Sequence, residues 1–181
     1  MAKNSDRSSK IIFGPVYSRR FGKSLGIDLS PFKKQCNFDC LYCELDPAKT
    51  MEGYEDVVTV EEITEALKQG LEAHPDIDFI TLTANGEPTL YPYLSELIDE
   101  IDKIKGSTKT LILSNAATID DPQVQEALLK LDEVKLSLDC ATQKCLKKLD
   151  RAHGGIDVEK IKAGMLSFRS RYQGPLVIEI L

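Results

Sequence analysis

The stretch that decides the fold is FITLTANGEPTLYPYLSELIDEI, residues 79–101, because it joins a strand pattern to a helix pattern through a polar turn. Its first part, Phe79-Ile80-Thr81-Leu82-Thr83, is rich in β-branched and aromatic residues, which predicts a buried strand. The apolar positions after the turn recur at helical spacing: Leu94, Leu97, Ile98 and Ile101. We expect Pro92 in the first turn of this helix. The stretch therefore predicts one βα unit.

Strand-like and helix-like hydrophobic patterns alternate on both sides of this unit as well. Further strands are predicted at residues 25–29, ending at the Ser30-Pro31 turn, and at residues 110–113, 134–138 and 176–181. Further helices are predicted after the capping box of Thr59 and Glu62, after Asp121-Pro122, around Cys145 to Leu149, and after Asp157. Strands separated by crossover helices predict an α/β fold with a parallel sheet, curled into a barrel or an open layer.

The sequence predicts one domain over residues 1–181, with residues 1–10 flexible. It stops on Ile178-Glu179-Ile180-Leu181, apolar residues inside a predicted strand. A parallel strand is normally buried on both faces, so this end predicts an uncovered apolar edge. We therefore expect a chain truncated after its fifth strand; the alternative is a compact form whose edge is covered by a partner.

Composition and charge restrict the classes of protein. The chain has 42% hydrophobic and 29% charged residues, and no apolar run approaches the roughly 20 residues of a membrane span. Neither a secretory signal nor a secreted disulfide framework is indicated, so we expect a cytoplasmic protein. The net charge is −6, yet residues 1–34 are basic. This basic segment is either a solvated arm or a surface that attracts an anionic substrate such as RNA or a phosphorylated metabolite.

Three cysteines, Cys36, Cys40 and Cys43, lie in the run Cys-Asn-Phe-Asp-Cys-Leu-Tyr-Cys. A four-iron cube normally takes four thiolates, so three would leave one iron open to a small molecule. A structural zinc site is the alternative, but zinc needs a fourth ligand and usually two separated pairs.

The Cys-x3-Cys-x2-Cys spacing, with Tyr42 before the third cysteine, resembles the motif of radical S-adenosylmethionine (radical SAM) enzymes. The resemblance implies a [4Fe-4S] cluster on Cys36, Cys40 and Cys43, with S-adenosylmethionine bound at the open iron. It implies reductive cleavage of that cofactor to a 5′-deoxyadenosyl radical, which abstracts hydrogen from a substrate. It further implies a partial (β/α)6-type barrel and an electron donor of the flavodoxin or ferredoxin type.

The resemblance also assigns cofactor-binding residues. Asn85-Gly86-Glu87-Pro88 is similar to the Gly-Gly-Glu-Pro segment that binds the methionine amino group in this family, with Asn85 in place of the first glycine. Gly86 permits close approach of the backbone to a ligand, and Glu87 could accept hydrogen bonds from an ammonium group. The candidates for the ribose and carboxylate of the cofactor are Ser114, Asn115, Ser137 and Asp139. Tyr42 is expected near the adenine.

A narrower resemblance involves the segments before the cysteines, residues 13–16, 18–22 and 24–28. With the motifs above, they look like an uncharacterised group of radical SAM proteins usually placed beside the wyosine-base (tRNA imidazoguanosine) synthases. The extra N-terminal cysteines of those synthases are absent here. The substrate implied is a tRNA base or a small metabolite.

Two other functions stay open: an activating enzyme that makes a glycyl radical on a protein partner, and a non-catalytic iron–sulfur or zinc-binding module. Cys140 and Glu179 are weak catalytic candidates. Cys140 follows a strand, although a buried or incidental cysteine is the alternative. Glu179 is a carboxylate inside an apolar strand, which calls for a partner. Arg151 is a further substrate-site candidate.

Overall fold

A computed structural model of the chain describes residues 10–180. Residues 1–9, which make up most of the segment predicted to be flexible, lie outside the described residues, as does Leu181 of the predicted last strand. The strands form one six-stranded sheet in chain order: β1 (Ile12–Ser18), β2 (Gly22–Asp28), β3 (Phe79–Thr83), β4 (Lys109–Ser114), β5 (Glu133–Ser137) and β6 (Leu176–Glu179). Strands β2 to β6 run parallel, which confirms the five predicted strands, and β1 runs antiparallel to β2.

Helices connect the parallel strands. They are α1 (Val60–Ala73), α2 (Leu94–Ile104), α3 (Pro122–Leu128), α4 (Gln143–Cys145), which continues as a π turn (Leu146–Asp150), and α5 (Val158–Arg171). A short 3-10 turn (Pro88–Leu90) precedes α2. The predicted capping box is present, because Thr59 and Glu62 exchange side-chain and backbone hydrogen bonds at the start of α1.

The sheet packs one face against the helices, and the middle of its other face is also buried: Ser24, Thr81 and Leu111 are 7%, 8% and 1% exposed. Cross-strand neighbours on the face against the helices are fully enclosed: Ile27, Leu82, Ile112 and Val134. They share a core with the apolar stripes of α1, α2 and α5. The strands at the two edges are β1 and β6, so the sheet is an open, partial barrel. A site is therefore expected at the carboxyl ends of its strands.

Strand β1 was not predicted. Its ladder is irregular between Phe13 and Val16, where Gly14-Pro15 interrupts the strand pattern. Proline is confined to edge strands and bulges, and β1 is an edge strand with a bulge. The Phe13 side chain occupies the space beside Gly26 of β2, since a Cβ at residue 26 would be 2.2 Å from Phe13 Cζ. The glycine in β2 is thus required by a neighbouring side chain.

The prediction that Pro92 lies in the first turn of α2 is wrong by about one half turn. Helix α2 begins at Leu94, with Tyr93 as its N-cap. Tyr91 is extended, as expected for a residue before proline, and closes the preceding 3-10 turn by donating to the Pro88 carbonyl.

No helix formed by residues 10–180 combines the length and the apolarity that crossing a membrane requires.

Candidate functional site

A cavity of about 300 Å³ lies where the carboxyl ends of β3, β4 and β5 meet the loop between β2 and α1. We call this loop, residues 29–59, the cysteine loop. The predicted residues in the cavity wall are Cys36, Cys40, Tyr42, Cys43, Gly86, Glu87, Ser114, Asn115, Ser137 and Asp139. Cys140 and Glu179 line it as well. The fold therefore gathers these residues from five separate segments of the chain.

Asn85 is the predicted cofactor residue outside this wall. Its backbone N–H donates to the Asp28 carboxylate at 2.7 Å, and its carbonyl accepts from the Gln35 N–H at 2.9 Å. Asp28 also accepts from Ser30, and burial raises the pKa of this carboxyl group. Asn85 thus holds the cysteine loop against the end of β3 through its backbone.

The cysteine loop is organised by Gln35, which is fully buried. Its amide nitrogen donates to the Ser30 hydroxyl and to the Asp56 carbonyl, both at 2.8 Å. Its amide oxygen accepts from the N–H groups of Glu55 and Asp56. A single side chain therefore ties the start of the loop to its end, and it directly precedes Cys36.

Gly86 makes room for the cysteine loop. Its φ is +142°, and a Cβ at this position would be 1.9 Å from the Gln35 carbonyl oxygen. Residues 35 and 86 form a parallel bridge, and the Glu87 N–H donates to that same carbonyl at 3.0 Å. The close approach that glycine permits here is to the backbone of the protein, which fixes the loop whatever ligand is bound.

The Glu87 carboxylate is buried, with 1% exposure, and accepts hydrogen bonds from inside the protein. Its donors are the Thr89 N–H and hydroxyl, the Ser114 hydroxyl at 2.7 Å and the Asn115 N–H at 2.7 Å. Burial raises the pKa of Glu87, and these hydrogen bonds partly oppose the rise. The carboxylate thus joins the end of β3 to the end of β4; its binding of an ammonium group stays a prediction.

Asn115 contacts the first cysteine directly. Its side-chain nitrogen lies 3.7 Å from Cys36 Sγ and donates to the Asn37 side chain at 2.8 Å. The Phe38 N–H also points at Cys36 Sγ, at 3.4 Å. Hydrogen bonds of this kind stabilise a sulfur that carries negative charge.

Tyr42 bridges two carboxylates. Its hydroxyl is hydrogen-bonded to Asp139 at the end of β5 and lies 3.1 Å from Asp150 at the end of the π turn. Burial, together with the bond to Asp139, raises the pKa of Tyr42 far above its ordinary value. Burial also raises the pKa of Asp150. The cysteine loop is thereby attached to the carboxyl edge of β5, and sequence reasoning did not single out Asp150.

Burial opposes ionisation of two of the thiols. Burial raises the pKa of Cys36 to about 12, and the negative charge of Glu87 contributes. Burial raises the pKa of Cys40 to about 11, against a lowering by the Tyr42 hydroxyl. A metal must therefore displace protons from these thiols, and only strong coordination compensates for that cost.

The three thiols of the motif are free and lie in the wall of one cavity. Within residues 10–180, no group of three or more His, Cys, Asp or Glu side chains is placed to hold a metal ion. Thiolates are ligands of both zinc and iron–sulfur clusters, so the choice of a cluster stays a prediction. The cation Lys34 is buried beside the three thiols and pairs with Asp39 at 3.1 Å.

The remaining cysteines pair with each other. Cys140 and Cys145 form a disulfide with their Cα atoms 5.3 Å apart, because the chain turns from the end of β5 directly into α4. The Cys140 thiol is thus unavailable in this state, and a reactive role stays a prediction for the reduced pair.

Glu179 has the partner that its position called for, since its carboxylate lies 2.6 Å from Lys135 Nζ. Arg151 lies 3.4 Å from Asp39 and not in the cavity wall.

The residues that sequence reasoning missed are mostly those that hold the loop: Asp28, Lys34, Gln35, Asn37 and Asp150. Their types are common in loops, and no spacing distinguishes them. The one available signal was position, because Lys34, Gln35 and Asn37 flank Cys36 directly.

Comparison with known proteins identifies the family of the chain. A family model, the Radical SAM superfamily, matches residues 30–181. The chain therefore belongs to the radical SAM superfamily. It is 51% identical over 172 residues to a UPF0026 protein of Helicobacter pylori strain J99, covering 94% of this chain and 56% of that protein.

Two solved structures share the fold. Native anSMEcpe with bound AdoMet has a TM-score of 0.63 at 20% identity, over 86% of this chain and 42% of that one. TYW1 with a lysine-pyruvate adduct bound has a TM-score of 0.53 at 17% identity, over 87% of this chain and 54% of that one. At such identities the likeness concerns the fold alone. The chain spans about half the length of the curated relatives it matches, 56% of the Helicobacter pylori protein.

Proposed function

We propose that this chain is the core of a radical SAM enzyme. Cys36, Cys40 and Cys43 hold a [4Fe-4S] cluster, and the polar ends of β4 and β5 bind S-adenosylmethionine. When bound, the cluster supplies the electron that cleaves S-adenosylmethionine to methionine and a 5′-deoxyadenosyl radical, which abstracts hydrogen from a substrate. The observation that carries the proposal is that three free thiols and the polar strand ends surround one cavity.

The chain's own residues have separable tasks in this proposal. Asn115 and the Phe38 N–H donate toward Cys36 Sγ, which stabilises its thiolate. Glu87 fixes Ser114 and Asn115, so it acts as a positioning residue for the β4 end of the site. Ser137 and Asp139 present a hydroxyl and a carboxylate for ribose hydroxyls, with Tyr42 beside the adenine. The buried charge of Lys34 favours the anionic form of the neighbouring thiols.

The surroundings of the reaction follow from the same chemistry. Exposed thiolates are attacked by oxidants, so a reducing cytoplasm suits the cluster site. A flavodoxin or ferredoxin is the expected electron donor. A tRNA base or a small metabolite is the expected substrate, with no membrane involved.

The test is anaerobic reconstitution with iron and sulfide, followed by dithionite and S-adenosylmethionine. We expect a brown protein that releases 5′-deoxyadenosine, measured by liquid chromatography. Release with and without bulk tRNA, and with and without candidate partner proteins, separates an RNA substrate from a protein substrate. A reconstituted protein with full iron content and no 5′-deoxyadenosine would refute the proposal.

Matched cysteine variants test the ligand assignment. Cys36→Ala, Cys40→Ala and Cys43→Ala are each expected to lose the cluster colour and the bound iron. Cys145→Ala is the control, because Cys145 is only partly buried and lies outside the cavity wall. Equal iron loss from Cys145→Ala would overturn the assignment.

A further inference from the structure

A second cavity opens on the inner face of the sheet, beside the cysteine cavity. Its volume is about 610 Å³. Its wall consists of the turn between β1 and β2, namely Ser18, Arg19, Arg20 and Phe21, together with Lys135 of β5 and Glu179 of β6. Lys135 and Glu179 line the cysteine cavity as well. The two spaces therefore meet at this ion pair.

The charge of the second cavity is positive. Lys135 Nζ lies 2.6 Å from Glu179 Oε2, with 18% of the lysine side chain and 45% of the glutamate side chain exposed. Arg19 and Arg20 have no side-chain partner among residues 10–180. One carboxylate thus faces three cations. The remaining positive charge is available to an anionic ligand.

The two arginines stand on a fixed turn. The Ser18 hydroxyl accepts hydrogen bonds from the N–H groups of Arg20 and Phe21, both at 3.2 Å. The Phe21 ring packs edge-on against Phe79 of β3, with their centroids 5.8 Å apart. A fixed backbone lowers the entropy that is lost when the guanidinium groups bind a ligand. Guanidinium groups match carboxylate and phosphate oxygens in pairs.

We propose that Lys135, Arg19 and Arg20 form an anion subsite that holds a carboxylate or phosphate group of the substrate. Glu179 is the internal counter-ion of Lys135. It is half-exposed at the sheet edge, so an incoming anion replaces it while its carboxylate turns to solvent. The subsite borders the cysteine cavity, which brings the rest of the substrate toward the cofactor. This inference rests on the proposed function for the reaction, but anion binding itself does not depend on it.

The test is isothermal titration calorimetry of the reconstituted chain with two probes, inorganic phosphate and succinate. Lys135→Gln and the double variant Arg19→Gln, Arg20→Gln are each expected to weaken binding about tenfold, because each removes charged hydrogen-bond donors. Lys109→Gln is the matched control: Lys109 also faces a glutamate of β5, Glu133, at 3.9 Å but lines neither cavity. The probe that binds more tightly identifies the anionic group.

The variant Glu179→Gln distinguishes an anion subsite from a purely structural ion pair. Removal of the internal competitor is expected to strengthen anion binding several-fold, whereas a purely structural ion pair would leave it unchanged or weakened. Thermal melting of each variant checks that it is folded. Absence of saturable binding by both probes, or an equal loss in Lys109→Gln, overturns the subsite. Anion binding without release of 5′-deoxyadenosine would refute the proposed function and leave the subsite intact. Release of 5′-deoxyadenosine without anion binding would refute the subsite and leave the proposed function intact.

Discussion

At the scale of single residues, Gly86 illustrates how a motif residue can serve the fold. A Cβ at position 86 would meet the Gln35 backbone at 1.9 Å, and the positive φ adds strain. We predict that Gly86→Ala lowers the free energy of unfolding by about 3 kcal/mol. Urea unfolding of the metal-free chain measures this effect.

Gly53 is the control for that variant. It belongs to the same cysteine loop, and a Cβ there would meet nothing within 4 Å. Gly53→Ala should therefore change the free energy of unfolding by less than about 0.5 kcal/mol. If both alanine variants are equally stable, the clash with Gln35 is not real.

The cysteines give a second prediction at this scale. After mild air oxidation, the denatured metal-free chain should show three reactive thiols out of its five cysteines. Trypsin cleavage after Lys144 should leave two peptides joined by the bond between Cys140 and Cys145. Mass spectrometry before and after reduction checks both points. Five free thiols without reductant, or a bond to Cys36, Cys40 or Cys43, would contradict the pairing.

The predicted site residues other than Asn85 lie around one cavity, and their roles in cofactor binding stay predictions. The motif cysteines and the polar strand ends were identified by spacing and by their place after successive strands. Glu87 lies in the cavity wall, and its carboxylate accepts hydrogen bonds from internal donors that the sequence did not indicate. Such bonds depend on the distance between segments far apart in sequence, as Ser114 and Glu87 are, and periodicity carries no information on it.

At the scale of elements, Asp132 joins the start of β4 to the start of β5. Its carboxylate accepts from the Thr110 N–H at 2.8 Å, the Thr110 hydroxyl and Lys105 Nζ at 2.9 Å. Burial alone would raise the pKa of Asp132, but the hydrogen bonds from Lys105 and Thr110 outweigh it and hold the pKa below the ordinary value.

Since the folded pKa is lowered, the stability that ionised Asp132 adds is present above the unfolded pKa of about 4. It is lost as pH falls through the folded value. Asp132→Asn should cost about 1 kcal/mol at neutral pH, a modest value because the group is partly exposed. In urea unfolding, this deficit should shrink as the pH falls below the unfolded pKa. Asp102→Asn, at the exposed partner of Lys105, is the control, and a deficit independent of pH would contradict the prediction.

Strands and helices with a regular hydrophobic pattern were predicted well, and the irregular strand β1 was not. Strands β2 to β6 follow from β-rich runs, and the caps at Thr59, Asp121 and Asp157 follow from side-chain chemistry. Strand β1 has no such run, because Gly14 and Pro15 break it and its pairing depends on Gly26 of β2. Strand β1 therefore forms because of its contact with β2, and not because of local β propensity.

At the scale of the whole molecule, the sheet should open from its edge. Strand β4 pairs on both sides and holds Leu111 and Ile112, which are 1% and 0% exposed. Strand β6 pairs only with β5, and Ile178 is 42% exposed. We predict that β4 amides exchange slowest and β6 amides fastest among the strands, measured by hydrogen exchange and mass spectrometry. Equal protection of β4 and β6 would contradict this order.

The buried Gln35 has a consequence for assembly of the cluster that we propose. Its amide fastens both ends of the cysteine loop with protein partners alone. The loss of loop entropy is therefore completed during folding, before any iron arrives. In that proposal, iron and sulfide would meet a loop that already has its final conformation, so cluster assembly would require proton release from the thiols rather than a search through loop conformations.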